Sequence, residues 1–436
     1  MIEILNIDNK YRLSLFELIR AYLPQKEFSD DKVVLDKIED KLRLSFDGKT
    51  FEREIISNDF SFQSKKLIFE SLKDITKSST KWGVLTGVRP TKYAYNLYKE
   101  FGEEKAFKSL VDEKLITLAG AKDLIEIAKL QDKIISENKN SYSVYVHIPF
   151  CPSKCSYCSF ITYTNYGDYF KPYTDAVIRE IESFETAKGS PTSIYIGGGT
   201  PTTIGVKHLE RIIKSLKNKF HGTKEFTVEC GRPEELNKEM LLMLKNIGVN
   251  RISINPQSFN DKTLIASKRN HTVSELYKSY DLAREIGFDV INMDLIIGLP
   301  GEGEEEILHS IDEALRLNPE NITTHTLAIK NGSDFIQNKL NVDIDLGKIL
   351  EEIETLMTAD YEKYYLYRQK RIAHNGENIG YAKDKKYCLY NIMMIEEAQE
   401  IYGFGMGATS KILKDGKLIT KANYRDLNLY LKKVNS

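Results

Sequence analysis

From about residue 143 to 327, apolar runs of strand length alternate with longer stretches whose apolar residues recur every three or four positions. The strand-like runs are 143–148, 193–196, 225–228, 251–254, 290–297 and 323–327. Helical periodicity fills the intervals, for example at 169–188, 206–220, 234–247 and 273–287. Six such alternations predict an α/β fold of parallel strands joined by right-handed crossovers, in a curved sheet rather than a full eight-fold barrel. Before it, residues 1–140 mix short strand-like pieces (1–7, 41–46) with helical stretches (13–23, 92–101, 120–135). Pro90 suits a helix start, and the polar, Asn-rich stretch 136–141 reads as a linker. The last part is mixed and rich in tyrosine, with Tyr361, Tyr364, Tyr365 and Tyr367 ahead of a glycine-rich turn at 403–407. The expected division is therefore 1–140, an N-terminal extension; 141–330, the β/α unit; and 331–436, a C-terminal region covering the substrate.

Composition narrows the setting. The 436 residues carry a formal net charge of -1, with acids and bases interspersed, so no nucleic-acid or membrane surface is expected. There is no apolar run of transmembrane length and no signal peptide pattern. Five cysteines, three of them clustered, make no disulfide framework, and a reducing cytoplasm is the expected compartment.

The cluster is the chemical signal. In Cys151-Pro-Ser-Lys-Cys155-Ser-Tyr-Cys158 the spacing is C-x-x-x-C-x-x-C. Three thiolates on one loop can hold three irons of a four-iron, four-sulfur (4Fe-4S) cluster, leaving the fourth iron open to a ligand. A closed structural zinc site wants four ligands, usually as two paired knuckles. Cys230 and Cys388 stand alone and supply no second knuckle. Three core cysteines by chance is the bland alternative, and Lys154 with its polar neighbours argues against it.

The loop and its flank, Tyr145-Val-His-Ile-Pro-Phe-Cys151, resemble the radical S-adenosylmethionine superfamily. Within it they resemble the oxygen-independent coproporphyrinogen III oxidases and related haem chaperones, especially the coproporphyrinogen dehydrogenase-like subgroup with a long N-terminal extension. Leu85-Thr-Gly-Val-Arg-Pro-Thr-Lys92, Thr227-Val-Glu-Cys-Gly-Arg-Pro233, Tyr364-Tyr-Leu-Tyr-Arg-Gln369 and Gly405-Met-Gly-Ala408 extend the match over most of the chain. The resemblance implies a partial (β/α)6 radical-SAM barrel, flanked by a mixed α+β N-terminal domain and a C-terminal α+β extension. It implies a 4Fe-4S cluster on Cys151, Cys155 and Cys158, and S-adenosyl-L-methionine as cofactor. A low-potential electron donor of flavodoxin or ferredoxin type and a tetrapyrrole substrate would be the partners.

Further site residues are carried over one by one. Gly198, Gly199 and Thr200, in the run after the second strand, would meet the cofactor's amino group; alone the run is a tight turn. Glu229 would lie near the cofactor, or be a solvated strand-end carboxylate. Gln257, Arg269 and Asp294 stand at or after successive strands, where Arg269 could clamp a carboxylate and Asp294 accept from ribose hydroxyls. Tyr157 would approach the adenine. Tyr145 would contact cofactor or substrate, or be a core aromatic. His147 reads as a packed histidine bonded to backbone and Cys230 as a small buried thiol. Arg89, Lys92 and Arg368 could meet propionates, with structural ion pairs as the alternative.

Three departures stand out. After Glu229, the residues Cys230-Gly-Arg-Pro233 depart from the usual oxidase pattern. The oxidases carry a further cysteine two residues after the third ligand, where this chain has Phe160. The chaperone branch ends in a His-Asn signature with a Tyr-Trp pair, whereas here His374-Asn375 precedes Gly376-Glu377 and the one tryptophan is Trp82. The leading expectation is radical decarboxylation of coproporphyrinogen III. A haem carrier with a retained cluster, or another radical enzyme modifying haem, are the alternatives.

Overall fold

In the computed structural model, which describes residues 1–23, 32–55, 59–76, 79–86, 89–164, 166–328, 344–369 and 372–435, each of the six predicted strands is present. They are β5 (Tyr142–Ile148), β6 (Ser193–Gly198), β7 (Glu225–Glu229), β8 (Arg251–Ser253), β9 (Val290–Ile297) and β10 (Asn321–Thr326). They lie side by side in sequence order and pair in parallel. Each crossover therefore advances one position in one direction, as an incomplete barrel requires. The helices α6 (Phe170–Glu182), α7 (Gly205–Lys219), α8 (Lys238–Asn246), α9 (Asp261–Ala266), α10 (Val273–Ile286) and α11 (Glu304–Leu317) fill the connections. In α7 the buried Leu209, Ile212, Ile213 and Leu216 form one stripe at helical spacing, which is why this segment folds as a helix and packs on the sheet. A capping box of Thr272 and Glu275 starts α10, and Gly287 ends it in the left-handed region.

Ahead of this unit come β1 (Ile2–Leu5), α1 (Asn9–Tyr22), β2 (Val33–Ile38), β3 (Lys41–Phe46), β4 (Lys49–Glu54) and α2 (Phe60–Leu72). The four strands make a separate sheet in the order β1-β2-β3-β4. Leu15, Leu18, Ile19, Leu35, Leu44, Ile68 and Leu72 form its own core. The helices α3 (Pro90–Phe101), α4 (Glu103–Asp112) and α5 (Leu118–Asn138) belong elsewhere. Ala94, Leu110, Ala121, Leu124 and Ile125 join the core of the large sheet. Helix α5 runs to Asn138, so half of the expected linker is helical. Ile134 and Ile135 are buried with Tyr364 and Tyr365, which keeps the helix going.

The C-terminal elements are α12 (Leu346–Met357), β11 (Glu362–Tyr367), β12 (Asn378–Ala382), α13 (Leu389–Glu396), β13 (Glu400–Phe404), β14 (Thr409–Lys414), β15 (Lys417–Ala422) and α14 (Leu427–Asn435). Together with the six strands they complete an eleven-stranded sheet, ordered β11-β12-β10-β9-β8-β7-β6-β5-β13-β14-β15. The C-terminal region thus extends both edges of the sheet. Strand β12 pairs antiparallel to β10, and β13 pairs parallel to β5.

Two buried charge networks lock these parts together. Glu225 on β7 lies 3.3 Å from Arg251 on β8, and accepts from the amides of Leu389 (2.9 Å) and Tyr390 (3.0 Å) at the start of α13. Arg251 in turn donates to Asn321 and to the carbonyls of Lys386 (2.8 Å) and Tyr387 (2.7 Å). In the second network Lys81 and Lys363 share Asp123 (2.7 and 2.8 Å) and Glu354, while Trp82 donates to Glu377 at 2.8 Å. Removing one member of a buried pair leaves the other charged and unpaired. Glu225→Ala is expected to lower the unfolding free energy by about 3–5 kcal/mol, and Glu225→Gln by less, measured by urea denaturation. Equal stability of Glu225→Ala and wild type would refute this role.

Candidate functional site

Strand β5 delivers the chain into the cysteine loop through Phe150, a buried ring edge-on to Phe170 (5.1 Å) and Tyr173 (5.2 Å). Main-chain bonds then hold the loop from three directions. The Cys151 amide donates to Tyr163 O (3.1 Å), the Thr200 amide to Phe150 O (2.7 Å), and the Ser156 amide to Ser267 O (3.1 Å). The Cys158 amide closes a turn on Cys155 O at 3.1 Å. The glycine run lies against this loop. A Cβ on Gly199 would sit 2.5 Å from Phe150 O and 2.9 Å from Cys151 Sγ, so only glycine allows the approach. Gly198 precedes it, and the Thr200 hydroxyl donates to Cys151 Sγ at 3.6 Å.

Cys155 is buried, and Cys151 and Cys158 are half-buried. Burial pushes the Cys151 thiol up to about 11 and raises Cys158 as well. Iron binding requires thiolates, and the Arg232 guanidinium works against that rise at both Cys151 and Cys158. Arg232 Nη2 lies 3.0 Å from Cys155 Sγ and 2.9 Å from Ser153 O, and Arg269 Nη1 lies 4.0 Å from the same sulfur. Among the described residues no three His, Cys, Asp or Glu side chains converge as ligands of a single ion would. A cubane instead takes one thiolate per iron, so this donor set, the glycine approach and the adjacent cations fit a four-iron cluster. Cys230 is fully buried with Sγ 3.7 Å from Val228 O, and Cys388 packs on Glu225.

Beyond the loop, the alternation of the strands gives the sheet a polar inner face. Tyr145 and Tyr195 face each other in register on β5 and β6, and both stack on Tyr390 of α13, at 5.9 and 4.5 Å between ring centres. Tyr195 donates to Glu229 at the end of β7 at 2.5 Å. Burial lifts the Glu229 carboxyl to about 7, against the lowering effect of that bond. Asp294 lies in the middle of β9 rather than at its end, and accepts from Asn292 at 2.8 Å. Burial alone would raise it, but His325 at 3.8 Å and the Asn292 bond hold it below the usual carboxylate range. Gln257 continues the ladder beside β9, its amide donating to Asp294 O (2.9 Å) and its carbonyl accepting from Ile296 N (2.9 Å). Its buried Oε1 makes no hydrogen bond among the described residues. His147 is kept neutral by burial, at about 4, and meets the Tyr145 hydroxyl (3.1 Å), where sequence reasoning expected a backbone partner.

Arg269 is placed differently from a free carboxylate clamp. Its Nη2 donates to Gly231 O (2.6 Å) and Asn255 O (2.5 Å), and its Nη1 to the Tyr157 hydroxyl (3.1 Å). Its buried Nε alone has no hydrogen-bond partner among the described residues. A carboxylate gripped by both nitrogens would have to replace these bonds.

The other basic candidates are engaged elsewhere. Arg368 is buried and donates to Leu85 O (2.6 Å), Gly376 O (3.2 Å) and Asn375. Arg89 and Lys92 both pair with Glu397, at 2.6 and 2.5 Å. Tyr361, Tyr364 and Tyr365 are core residues, their faces packed against neighbours. Sequence reasoning missed Arg232, Tyr195, His325 and Tyr390. The alternation within the strands could have pointed to Tyr195 and His325; the altered loop after Glu229 could have pointed to Arg232. Tyr390 comes from a helix with no local signal.

Residues 145–314 match the Radical SAM superfamily. The oxygen-independent coproporphyrinogen-III oxidase-like protein HemZ of Bacillus subtilis (strain 168) is 38% identical over 378 residues, 81% of this chain and 75% of that protein. The heme chaperone HemW of the same organism is 32% identical over 61% of this chain and 70% of its own length. Among solved structures, coproporphyrinogen III oxidase (HemN) from Escherichia coli superposes with a TM-score of 0.56 at 24% identity, over 71% of this chain and 72% of that one, a likeness of fold. The chain belongs to the radical SAM superfamily, in its oxygen-independent coproporphyrinogen-III oxidase-like family, which uses a 4Fe-4S cluster and S-adenosylmethionine. No helix among the described residues is long and apolar enough to cross a membrane.

Two outcomes follow from this geometry. Anaerobically prepared protein is expected to lose its visible cluster absorption when Cys151, Cys155 or Cys158 becomes Ala, and to keep it in Cys230→Ala and Cys388→Ala. Loss of absorption in Cys230→Ala would overturn the three-ligand set. Separately, burial pushes Glu397 up, but Arg89, Lys92 and Lys411 outweigh it and hold the carboxyl at about 2, below the ordinary 4.5. Its stabilisation is therefore present above pH 4.5 and lost as pH falls toward 2. The stability difference between wild type and Glu397→Gln should shrink over that window; a pH-independent difference would show that the ion pairs are not its source.

Proposed function

We propose that this chain is a radical S-adenosylmethionine enzyme that converts propionate side chains of coproporphyrinogen III to vinyl groups without oxygen. The observation carrying the reading is the continuity of the polar inner face, from Tyr145 and Tyr195 through Glu229 to Asp294 and His325, with the cysteine loop beside it. The cluster and S-adenosylmethionine together supply a carbon-centred radical able to take a hydrogen atom from an unactivated C–H bond. Each propionate then loses that hydrogen atom, carbon dioxide and one electron, the last to an external acceptor.

The residues divide the work. Cys151, Cys155 and Cys158 hold the cluster, and Gly198, Gly199 and Thr200 bring a close-fitting backbone to the cofactor beside it. Gln257, with an unbonded buried carbonyl, and Asp294, kept ionised, offer acceptors for cofactor hydroxyls and ammonium. Glu229 and Tyr157 complete that wall, and Arg269 braces it. Tyr145, stacked on Tyr390, is the residue that contacts cofactor or substrate in this reading and helps to orient the C–H bond and exclude water. The 38% identity to HemZ supports the substrate class. A cytoplasmic setting and a flavodoxin- or ferredoxin-type donor belong to the same reading.

Phe160 favours a second reading. It replaces the oxidases' extra cysteine and is 61% exposed. With the similarity to HemW, it supports a haem carrier that keeps the radical apparatus without decarboxylation. The deciding experiment is anaerobic incubation with S-adenosylmethionine, a strong reductant and coproporphyrinogen III, followed by product mass. Loss of carbon dioxide and two hydrogens per propionate is expected, and haem titration without such loss would transfer the assignment to the carrier. If neither tetrapyrrole binds or alters cofactor cleavage, the substrate class is wrong.

A further inference from the structure

The loop after β7, Cys230-Gly-Arg-Pro233, differs from the usual oxidase pattern and aims a cation at the cysteine loop. Arg232 is 3% exposed. A buried guanidinium is stable only where its donors find acceptors, and Arg232 finds three: Ser153 O at 2.9 Å, Cys155 Sγ at 3.0 Å and the Glu234 carboxylate at 3.3 Å. Two of them belong to the loop that carries the thiols. Arg269 brings a second guanidinium, 4.0 Å from the same sulfur. Its Nη2 bond to Gly231 O, at 2.6 Å, fixes the backbone next to Arg232. His271, 3.6 Å from Glu234, is held neutral by burial, at about 3, so it adds no charge. Glu234 is the carboxylate bonded to Arg232, and Glu235 acts on the same guanidinium without a hydrogen bond to it. The Arg232 guanidinium stands nearer to Cys155 Sγ, at 3.0 Å, than to Glu234, at 3.3 Å, where burial keeps its charge from being screened by salt.

We propose that Arg232 is a positioning residue that raises the reduction potential of the cluster through its charge and its N–H bond to Cys155 Sγ. One-electron reduction adds negative charge to the cluster and its thiolates, and a fixed cation beside a ligand sulfur stabilises that product. Hydrogen bonds to sulfur and local net charge are the levers by which a protein sets such a potential. Among the three thiols, the described contacts give this bond to Cys155 alone, while Cys151 receives the neutral Thr200 hydroxyl. The charge of Arg232 acts on Cys151 and Cys158 too, but its N–H bond falls on Cys155.

The inference rests on the assignment of the cluster to Cys151, Cys155 and Cys158, and the test separates the two. Wild type, Arg232→Gln and Arg232→Lys are prepared anaerobically, assayed for iron and sulfide, and titrated with EPR detection of the reduced cluster. Arg232→Gln keeps an amide donor and drops the charge. At a fixed potential its ratio of reduced to oxidised cluster is expected to fall at least tenfold, a shift of 59 mV for one electron, while Arg232→Lys recovers most of it. An unchanged ratio with an intact cluster overturns the inference and leaves Arg232 as a loop anchor. Should Arg232→Gln fail to hold a cluster, wild type labelled with nitrogen-15 arginine still decides. The reduced cluster is expected to show a guanidinium nitrogen coupling that weakens in Arg232→Lys, and its absence in wild type overturns the contact. A wild-type chain that holds no cluster would instead defeat the ligand assignment itself.

Discussion

Strand β5 carries the cysteine loop, yet it is the first strand of the parallel run and would present an open edge. An unpaired strand edge is a poor base for a site that must hold atoms in fixed positions. The fold meets this constraint by bringing the chain back from more than two hundred residues away. Residues 400–404 of β13 pair in parallel with residues 142–146 of β5. The turn that follows then secures the end of β5. Tyr173 donates to His147 O (2.5 Å) and accepts from the Met406 amide (3.1 Å), and the Gly405 amide donates to Glu180 (2.8 Å). A Cβ on Gly405 would stand 2.6 Å from His147 O, which gives the Gly405-Met-Gly-Ala408 motif a physical reason. The cysteine loop therefore starts from a strand paired on both sides and tied down at its tip.

The inner face of the sheet separates two carboxyl groups in their chemistry. Both Glu229 and Asp294 are withdrawn from water, and the charge on Asp294 itself helps to raise Glu229. Asp294 has a histidine and an amide beside it and stays ionised, whereas Glu229 has a phenol and sits near its midpoint at neutral pH. Environments that push paired acids apart give one fixed acceptor and one group able to exchange a proton. The tyrosine stack of Tyr145, Tyr195 and Tyr390 borders the second of these, so that proton is shielded by rings rather than by bulk water.

Much of this was legible along the chain, for a simple reason. Parallel strands buried on both faces are short apolar runs between helical periods, and β5 to β10 each fall within a residue or two of those runs. The cysteine loop and glycine run were legible as local spacings, and the structure brings them into contact. What sequence could not give was the fate of side chains whose partners are distant. Arg368 bonds to Leu85, Gln131 to Tyr364, and Tyr390 reaches Tyr195 from a C-terminal helix. No local pattern separates a basic residue free to meet a ligand from one holding two parts of a fold together. The tyrosines near residue 364 illustrate the same point: clustered in sequence, Tyr361, Tyr364 and Tyr365 are made core by packing.

The commitment of those basic groups has a chemical consequence for anything that enters the recess. Arg368, Arg89, Lys92, Lys81 and Lys363 are all spent on internal partners. The buried guanidiniums of Arg232 and Arg269 stand against the cysteine loop. Further along the face stand the phenols of Tyr145 and Tyr367, the amide of Asn292 and the imidazole of His325, bonded to His147, to each other or to Asp294. Phenol and amide hydrogen bonds of this kind are weaker and more sensitive to geometry than ion pairs. A face built this way offers shape and many modest contacts, while the guanidiniums are concentrated beside the cysteine loop.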